Sequence, residues 1–127
     1  MNTSLNKKTI LIVEDEKALR GILKTKFESN SFNVIEAENG REGLSVSLKK
    51  HPDLILLDIV MPIMDGMTML KKLREDKWGK DAQVVLLTNL DDSEKITEAI
   101  KQNTYDYLLK TDWKLEDIIS RIKKILK

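Results

Sequence analysis

Five polar side chains follow or end short apolar runs in the sequence, and together they could support phosphoryl chemistry. They are Glu14, Asp15, Asp58, Thr88 and Lys110. Clustered carboxylate oxygens suit a hard divalent cation such as magnesium, which usually shares a phosphate group with its protein ligands. An ammonium group and a hydroxyl would then contact the outer oxygens of that phosphate. These residue types therefore predict a metal-assisted phosphoryl site, provided that the fold brings them together.

The apolar runs have the properties of buried strands, because they are too short for helices and most do not alternate with polar residues. The predicted strands are Thr9–Val13, Asn33–Ala37, Leu54–Leu57, Val84–Leu87 and Tyr107–Leu109. The second is the least apolar, so it is expected near an edge of the sheet. The carboxyl ends of parallel strands share one rim, where open α/β sheets bind their ligands. The five polar side chains are therefore predicted to converge there.

Segments with helical spacing of apolar residues separate and follow the strands. The first and last helices have the most apolar faces, made of Leu19, Ile22, Leu23 and Phe27 and of Leu115, Ile118, Ile119, Ile122 and Leu126. Asn39 followed by Glu42 is typical of a capped helix start. The order of elements is five successive strand–helix pairs, which predicts an α/β fold with a parallel sheet and helices on both faces.

Composition narrows the possible functions. The 127 residues carry 22 basic and 21 acidic side chains, so the net charge of +1 offers no bulk attraction to nucleic acid or to an anionic membrane. There is no Cys, and His51 is the single histidine, which excludes thiolate or His-rich metal sites. No apolar run is long enough for a leader or a membrane span. The prediction is one cytoplasmic domain over residues 1–127, with its core beginning near Lys8.

Simpler interpretations exist for most of these residues taken singly. Glu14 and Asp15 could stabilise the start of the first helix, with Asp15 as its N-cap. Thr88 could be a turn residue, and Lys110 a solvated surface charge. Asp58 is harder to explain structurally, because an acid at the end of a buried strand needs a partner. The convergence of all five on one rim favours a functional site.

Several motifs at these positions give the chain a strong resemblance to the receiver domain of bacterial response regulators. They are Ile10–Asp15, Asp53–Asp58, Met61–Gly66, Val84–Thr88 and Tyr107–Lys110. The resemblance extends from about Lys8 to the end of the last helix. It implies a flavodoxin-like (βα)5 three-layer sandwich, with the five strands of its parallel sheet in the order 2-1-3-4-5.

The resemblance also implies a role for each site residue. Asp58 matches the phosphoacceptor, which takes a phosphoryl group from a histidine kinase or a phosphotransfer protein. Asp15 matches a direct ligand of magnesium or manganese, and Glu14 matches its neighbour, which often acts through water. Val60 matches the residue that supplies a backbone carbonyl to the metal.

Three further matches concern the response to phosphorylation. Lys110 matches the lysine that pairs with the phosphoryl oxygens, and Thr88 the hydroxyl that moves towards the phosphate. Tyr107 matches the switch aromatic residue that turns inward with it. The implied outcome is a changed face, built from the fourth helix, the fifth strand and the fifth helix, that binds a protein target or a second copy. Thr111 departs from the family pattern, in which Pro usually follows the lysine, so the isomer of the Lys110–Thr111 bond stays open.

The leading hypothesis is a stand-alone signalling module that is a phosphoacceptor rather than an enzyme. The alternative is the receiver half of a longer DNA-binding transcriptional regulator. A haloacid-dehalogenase-like phosphatase would need a second acid at the position of Val60, and a flavin carrier would need a Gly-rich phosphate loop after the first strand. The cluster Met61, Met64, Met67 and Met69 is predicted to pack in the core rather than to bind a soft metal.

Overall fold

The computed structural model describes residues 7–88, 106–109 and 114–126. Five strands are present: β1 (Thr9–Val13), β2 (Asn33–Ala37), β3 (Leu54–Asp58), β4 (Val84–Thr88) and β5 (Asp106–Leu109). The described helices are α1 (Lys17–Ser29), α2 (Gly40–Lys50), α3 (Gly66–Arg74) and a last helix (Leu115–Ile125), with a short 3-10 helix at Gly79–Asp81. The helix predicted between β4 and β5 lies outside the described residues.

The strands form one parallel sheet in the order β2-β1-β3-β4-β5, which confirms the predicted α/β fold and strand order. The edge position predicted for β2 is also confirmed. In the register, Val13 is opposite Leu57, Asp58 is opposite Leu87, and Thr88 is opposite Leu109. The carboxyl ends of β1, β3, β4 and β5 are therefore aligned along one rim.

Alternate residues of the central strands face opposite layers, because successive side chains of a strand point to opposite sides of the sheet. Leu11, Val13, Ile55 and Leu57 pack with α2 and α3, in a layer that also contains the buried residues Met61, Met67 and Met69 with Met64 against them. Ile10, Ile12, Leu54 and Leu56 pack with α1 and the last helix. Both faces of the sheet are covered, as predicted, and the methionines pack in the core.

The predicted buried face of α1 is wrong at one position. Leu23 and Phe27 are buried and Leu19 is partly buried, but Ile22 is 54% exposed. The reason is that the stripe of α1 that meets the sheet is narrower than the spacing of its apolar residues suggests. The buried face predicted for the last helix is confirmed at Ile118, Ile119 and Ile122.

The N-caps of α2 and α1 show which polar residues cap helices and which are left for the candidate site. The side chain of Asn39 accepts a hydrogen bond from the Glu42 N–H at 2.8 Å, as the sequence predicts for α2. The N-cap of α1 is Glu16, and its side chain makes no capping hydrogen bond. The interpretation of Asp15 as the N-cap is therefore wrong, because the chain enters α1 one residue later. Asp15 is left exposed on the rim.

Adding a methyl group at Gly21 and at Gly66 should have opposite effects on the stability of the fold. A Cβ at Gly21, in the middle of α1, would meet nothing within 4 Å, whereas a Cβ at Gly66 would collide with the backbone oxygen of Asp58. We expect Gly21→Ala to raise the free energy of unfolding by about 0.5–1 kcal/mol, since glycine is a poor helix former. We expect Gly66→Ala to lower it by about 1–3 kcal/mol through overpacking. Urea denaturation measures both, and equal effects would contradict the close contact between α3 and Asp58.

Candidate metal centre

Three carboxylates meet at the rim where β1 and β3 end. Oxygen atoms of Glu14, Asp15 and Asp58 all lie within 4.8 Å of one another. Glu14 and Asp58 are buried, whereas Asp15 is exposed. The structure therefore brings together the three acids that the sequence analysis selected, at the edge of the sheet where it expected them.

Glu14 is held by backbone and side-chain contacts. Its N–H donates to the carbonyl oxygen of Ala37 at 3.0 Å, which continues the pairing with β2 one residue past the end of β1. Its carbonyl oxygen accepts from Nη1 of Arg20 at 2.8 Å. Its Oε2 accepts from the Glu16 N–H at 3.1 Å. These bonds fix both the backbone and the carboxylate of a buried acid.

Asp58 is the last residue of β3, which lies in the middle of the sheet between β1 and β4. The loop after it folds back towards the strand, because the Gly66 N–H donates to the carbonyl oxygen of Ile59 at 2.8 Å. The Gly40 N–H donates to the carbonyl oxygen of Met64 at 2.9 Å, which ties the loop to the start of α2. The loop of residues 59–66 is thus fastened both to the end of β3 and to the start of α2.

The middle of this loop presents two apolar side chains to solvent. Val60 is 57% exposed and Ile63 is 75% exposed. Ile63 also has a φ of 69°, in the left-handed region that β-branched residues rarely adopt. Such a conformation costs about 1–3 kcal/mol and persists only where the surroundings enforce it. The hydrogen bonds at Met64 and Gly66 supply that enforcement next to Asp58.

The remaining predicted site residues are described only in part. Thr88 ends β4, the strand beside β3, and Tyr107 lies in β5 opposite Leu86; both assignments concern the backbone. Lys110 lies outside the described residues, as does the Lys110–Thr111 bond. The roles of Thr88, Tyr107 and Lys110 stay predictions.

Sequence reasoning missed Arg20 and its partner Glu36. Nε of Arg20 donates to Oε1 of Glu36 at 3.2 Å, while its Nη1 holds the Glu14 carbonyl. The only signal in the sequence is an arginine five residues after Asp15 in a chain that has four arginines. Its partner on β2 becomes apparent only once β1 and β2 are paired.

The donor set fits a hard divalent cation. Three carboxylates within 4.8 Å of one another, two of them buried, would repel one another when ionised. A dication between them would offset that repulsion, and oxygen-only ligands suit magnesium or manganese. The described part of the chain offers no thiolate, since the sequence has no cysteine.

Comparison with known proteins agrees with this geometry. The model of the response regulator receiver domain family matches residues 10–123. The chain is 33% identical over 124 residues to the probable transcriptional regulator ycf27 of Porphyridium aerugineum, covering 97% of this chain and 50% of that protein. It is 30% identical over 118 residues to the DNA-binding dual master transcriptional regulator RpaA of Synechocystis, covering 93% and 48%. The chain spans about half the length of these curated relatives.

Solved structures show the same fold. The receiver domain of the Francisella response regulator 1452 superposes with a TM-score of 0.84 at 31% identity, covering 94% of this chain and 97% of that one. The chemotaxis response regulator CheY4 of Vibrio cholerae superposes with a TM-score of 0.86 at 25% identity, covering 94% and 99%. Receiver domains are signalling modules that generally bind Mg²⁺ at an acidic pocket and interact with histidine kinases. The family match, the flavodoxin-like sheet and the acidic rim agree that this chain belongs to the receiver domains of two-component response regulators.

Proposed function

We propose that this domain is a phosphoacceptor switch in which Asp58 receives a phosphoryl group from a histidine kinase or a phosphotransfer protein. The observation that carries the proposal is the cluster of Glu14, Asp15 and Asp58 at the carboxyl end of β3. Asp58 is the member at the end of the central strand, and the loop beside it is anchored by Gly66. The proposal includes a cytoplasmic location, in keeping with a sequence that has no cysteine.

The chemistry is nucleophilic attack by a carboxylate oxygen of Asp58 on the phosphorus of a phosphohistidine. An O–P bond forms, the N–P bond breaks, and the electron pair returns to the imidazole nitrogen. Glu14 and Asp15 would hold magnesium or manganese, with the carbonyl of Val60 as a further ligand. The ion supplies charge neutralisation and Lewis acidity at the phosphoryl oxygens. Lys110 and Thr88 would contact the other phosphoryl oxygens, so the protein mainly positions charges.

Phosphoramidate tests this proposal, because it donates a phosphoryl group without a kinase. Incubation of the protein with phosphoramidate and Mg²⁺ should add one phosphoryl group, which intact-mass spectrometry detects. A protein that stays unmodified at saturating donor and metal would overturn the proposed function.

Phosphorylation is proposed to shift the domain between two conformations of one fold. Thr88 would move towards the phosphate and Tyr107 inward, changing the face of the fourth helix, fifth strand and fifth helix for a protein target or a second copy. Beryllofluoride, which mimics an aspartyl phosphate, should therefore shift amide resonances of Tyr107 and of residues 96–101. Shifts confined to the residues around Asp58 would contradict the coupling.

A second candidate is the receiver half of a DNA-binding transcriptional regulator. The relatives that match this chain include proteins named as transcriptional regulators, and each is about twice as long as the matched region. In that case the phosphorylated domain would control a DNA-binding part rather than a separate target. The length of the gene product distinguishes the two candidates, and neither requires this domain itself to contact nucleic acid.

The side chain of Val60 leads us to expect that the phosphoryl group on Asp58 is long-lived. This side chain is 57% exposed rather than packed into the loop, and it cannot orient an attacking water. Water-positioning groups contribute about 10²- to 10⁴-fold in other sites, so Val60→Asn should speed hydrolysis towards the lower end of that range. Decay of the phosphorylated protein, followed by intact mass after donor removal, measures this. Leu90, two residues after Thr88, is expected to shield the same path, and it lies outside the described residues. An unchanged decay rate would contradict the role of Val60.

A further inference from the structure

Arg20 connects the acidic cluster to the neighbouring strand. Its Nη1 donates to the backbone carbonyl of Glu14 at 2.8 Å, and its Nε donates to Oε1 of Glu36 at 3.2 Å. The side chain is 13% exposed, so it is largely removed from competing water. Because the guanidinium group is planar and rigid, holding one nitrogen at β2 fixes the direction in which the other points.

The oxygen that Arg20 holds belongs to the peptide group joining Glu14 to Asp15. That group is planar, so fixing its oxygen fixes the plane from which both residues extend. The N–H of Glu14 is already bound to Ala37 on the other side of the residue. Together these two bonds fix the backbone from which the carboxylates of Glu14 and Asp15 extend.

We infer that Arg20 is a positioning residue for the cation site, anchored by Glu36. The inference rests on the proposed function, since it concerns the metal affinity of the same three carboxylates. Arg20 touches neither the metal nor the phosphoryl group in this scheme. It acts through the backbone of Glu14.

A positioning role and a purely electrostatic role for Arg20 predict opposite changes in metal affinity when Arg20 is removed. Arg20 is a cation next to a cation site, so by charge alone its removal should strengthen metal binding. If Arg20 orients the ligands, its removal should weaken metal binding, because outer-shell partners of metal ligands typically contribute about 10- to 100-fold in affinity. The direction of the change therefore distinguishes the two roles.

The experiment measures Mn²⁺ affinity by the loss of the electron paramagnetic resonance signal of free Mn²⁺. The variants are Arg20→Met and Arg20→Lys, each confirmed as folded by circular dichroism. We expect both to bind Mn²⁺ about tenfold more weakly than wild type. Lysine keeps the charge but cannot reach both acceptors with a rigid fork. In the phosphoramidate reaction, the half-saturating Mg²⁺ concentration should rise by a similar factor while the rate at saturating Mg²⁺ is preserved.

Lys24→Met is the matched control. Lys24 lies on the same helix, contacts the other oxygen of Glu36 at 3.5 Å and is 41% exposed. It loses the same charge, but its effect on Mn²⁺ affinity should be small, as for other exposed ion pairs. An affinity that is unchanged or tighter in Arg20→Met, or fully restored in Arg20→Lys, would overturn the inference and leave the metal site intact. Absence of Mn²⁺ binding by wild type would overturn the metal site and this inference with it.

Discussion

Asp58→Ala is expected to abolish phosphoryl incorporation from phosphoramidate. Asp58 is the carboxylate of the cluster that ends the central strand, and alanine offers no oxygen to attack phosphorus. Intact-mass spectrometry after incubation with donor and Mg²⁺ should therefore show only the unmodified variant. Circular dichroism checks that the variant keeps the fold.

Asp53→Asn is the matched control for that result. Asp53 precedes the same strand at the opposite end, where its Oδ2 accepts a hydrogen bond from the Thr9 N–H at 2.7 Å. This variant should be modified as readily as wild type, because the lost charge lies far from the carboxyl end of β3. Modification of Asp58→Ala at the wild-type rate would show that another residue is the acceptor.

Asp15→Asn should weaken metal binding by more than the corresponding amide substitution at an exposed acid outside the cluster. Asp15 contributes one of the three carboxylates within 4.8 Å of one another, and its amide replacement is a poorer ligand for a hard dication. Changes to groups that only support a metal ligand lower metal affinity by about 10- to 100-fold. We expect the loss for Asp15→Asn to be at least that large, because Asp15 is itself a proposed ligand. Titration with Mn²⁺ measures the affinity, and phosphoryl incorporation should fall in parallel at limiting Mg²⁺.

Glu16→Gln controls for charge in the same titration. Glu16 is the exposed neighbour of Asp15, and it is not a member of the cluster. Both variants remove one negative charge from the same turn, so an effect of net charge alone would be equal in the two. Equal losses of affinity would contradict the assignment of Asp15 as a ligand.

The three central strands, β1, β3 and β4, were predictable because they are buried on both faces. Continuous apolar runs mark such strands directly, and the structure only extends β3 by Asp58 and β4 by Thr88 and starts β5 one residue earlier, at Asp106. The acidic cluster was predictable because its three residues end or directly follow parallel strands. Residues that end parallel strands must share a rim whatever the details of packing.

Other features depend on tertiary contacts that no local pattern encodes. The exposure of Ile22 depends on how much of α1 meets the sheet, and the contact between Arg20 and Glu36 depends on strand pairing. The left-handed backbone of Ile63 is contrary to the preference of a β-branched residue. Hydrogen bonds to the anchored loop override that preference, so the sequence alone predicts a different conformation there.

The loop after Asp58 separates what must stay fixed from what can vary. Backbone hydrogen bonds from Gly40 and Gly66 fasten it, whereas the side chains of Val60 and Ile63 contribute little to that fastening because they face solvent. Mutations at positions 60 and 63 can therefore accumulate without displacing the acceptor carboxylate. Related domains could diverge in partner choice through position 63 while inheriting the same transfer chemistry, whereas changes at position 60 would also alter how long the phosphoryl group lasts.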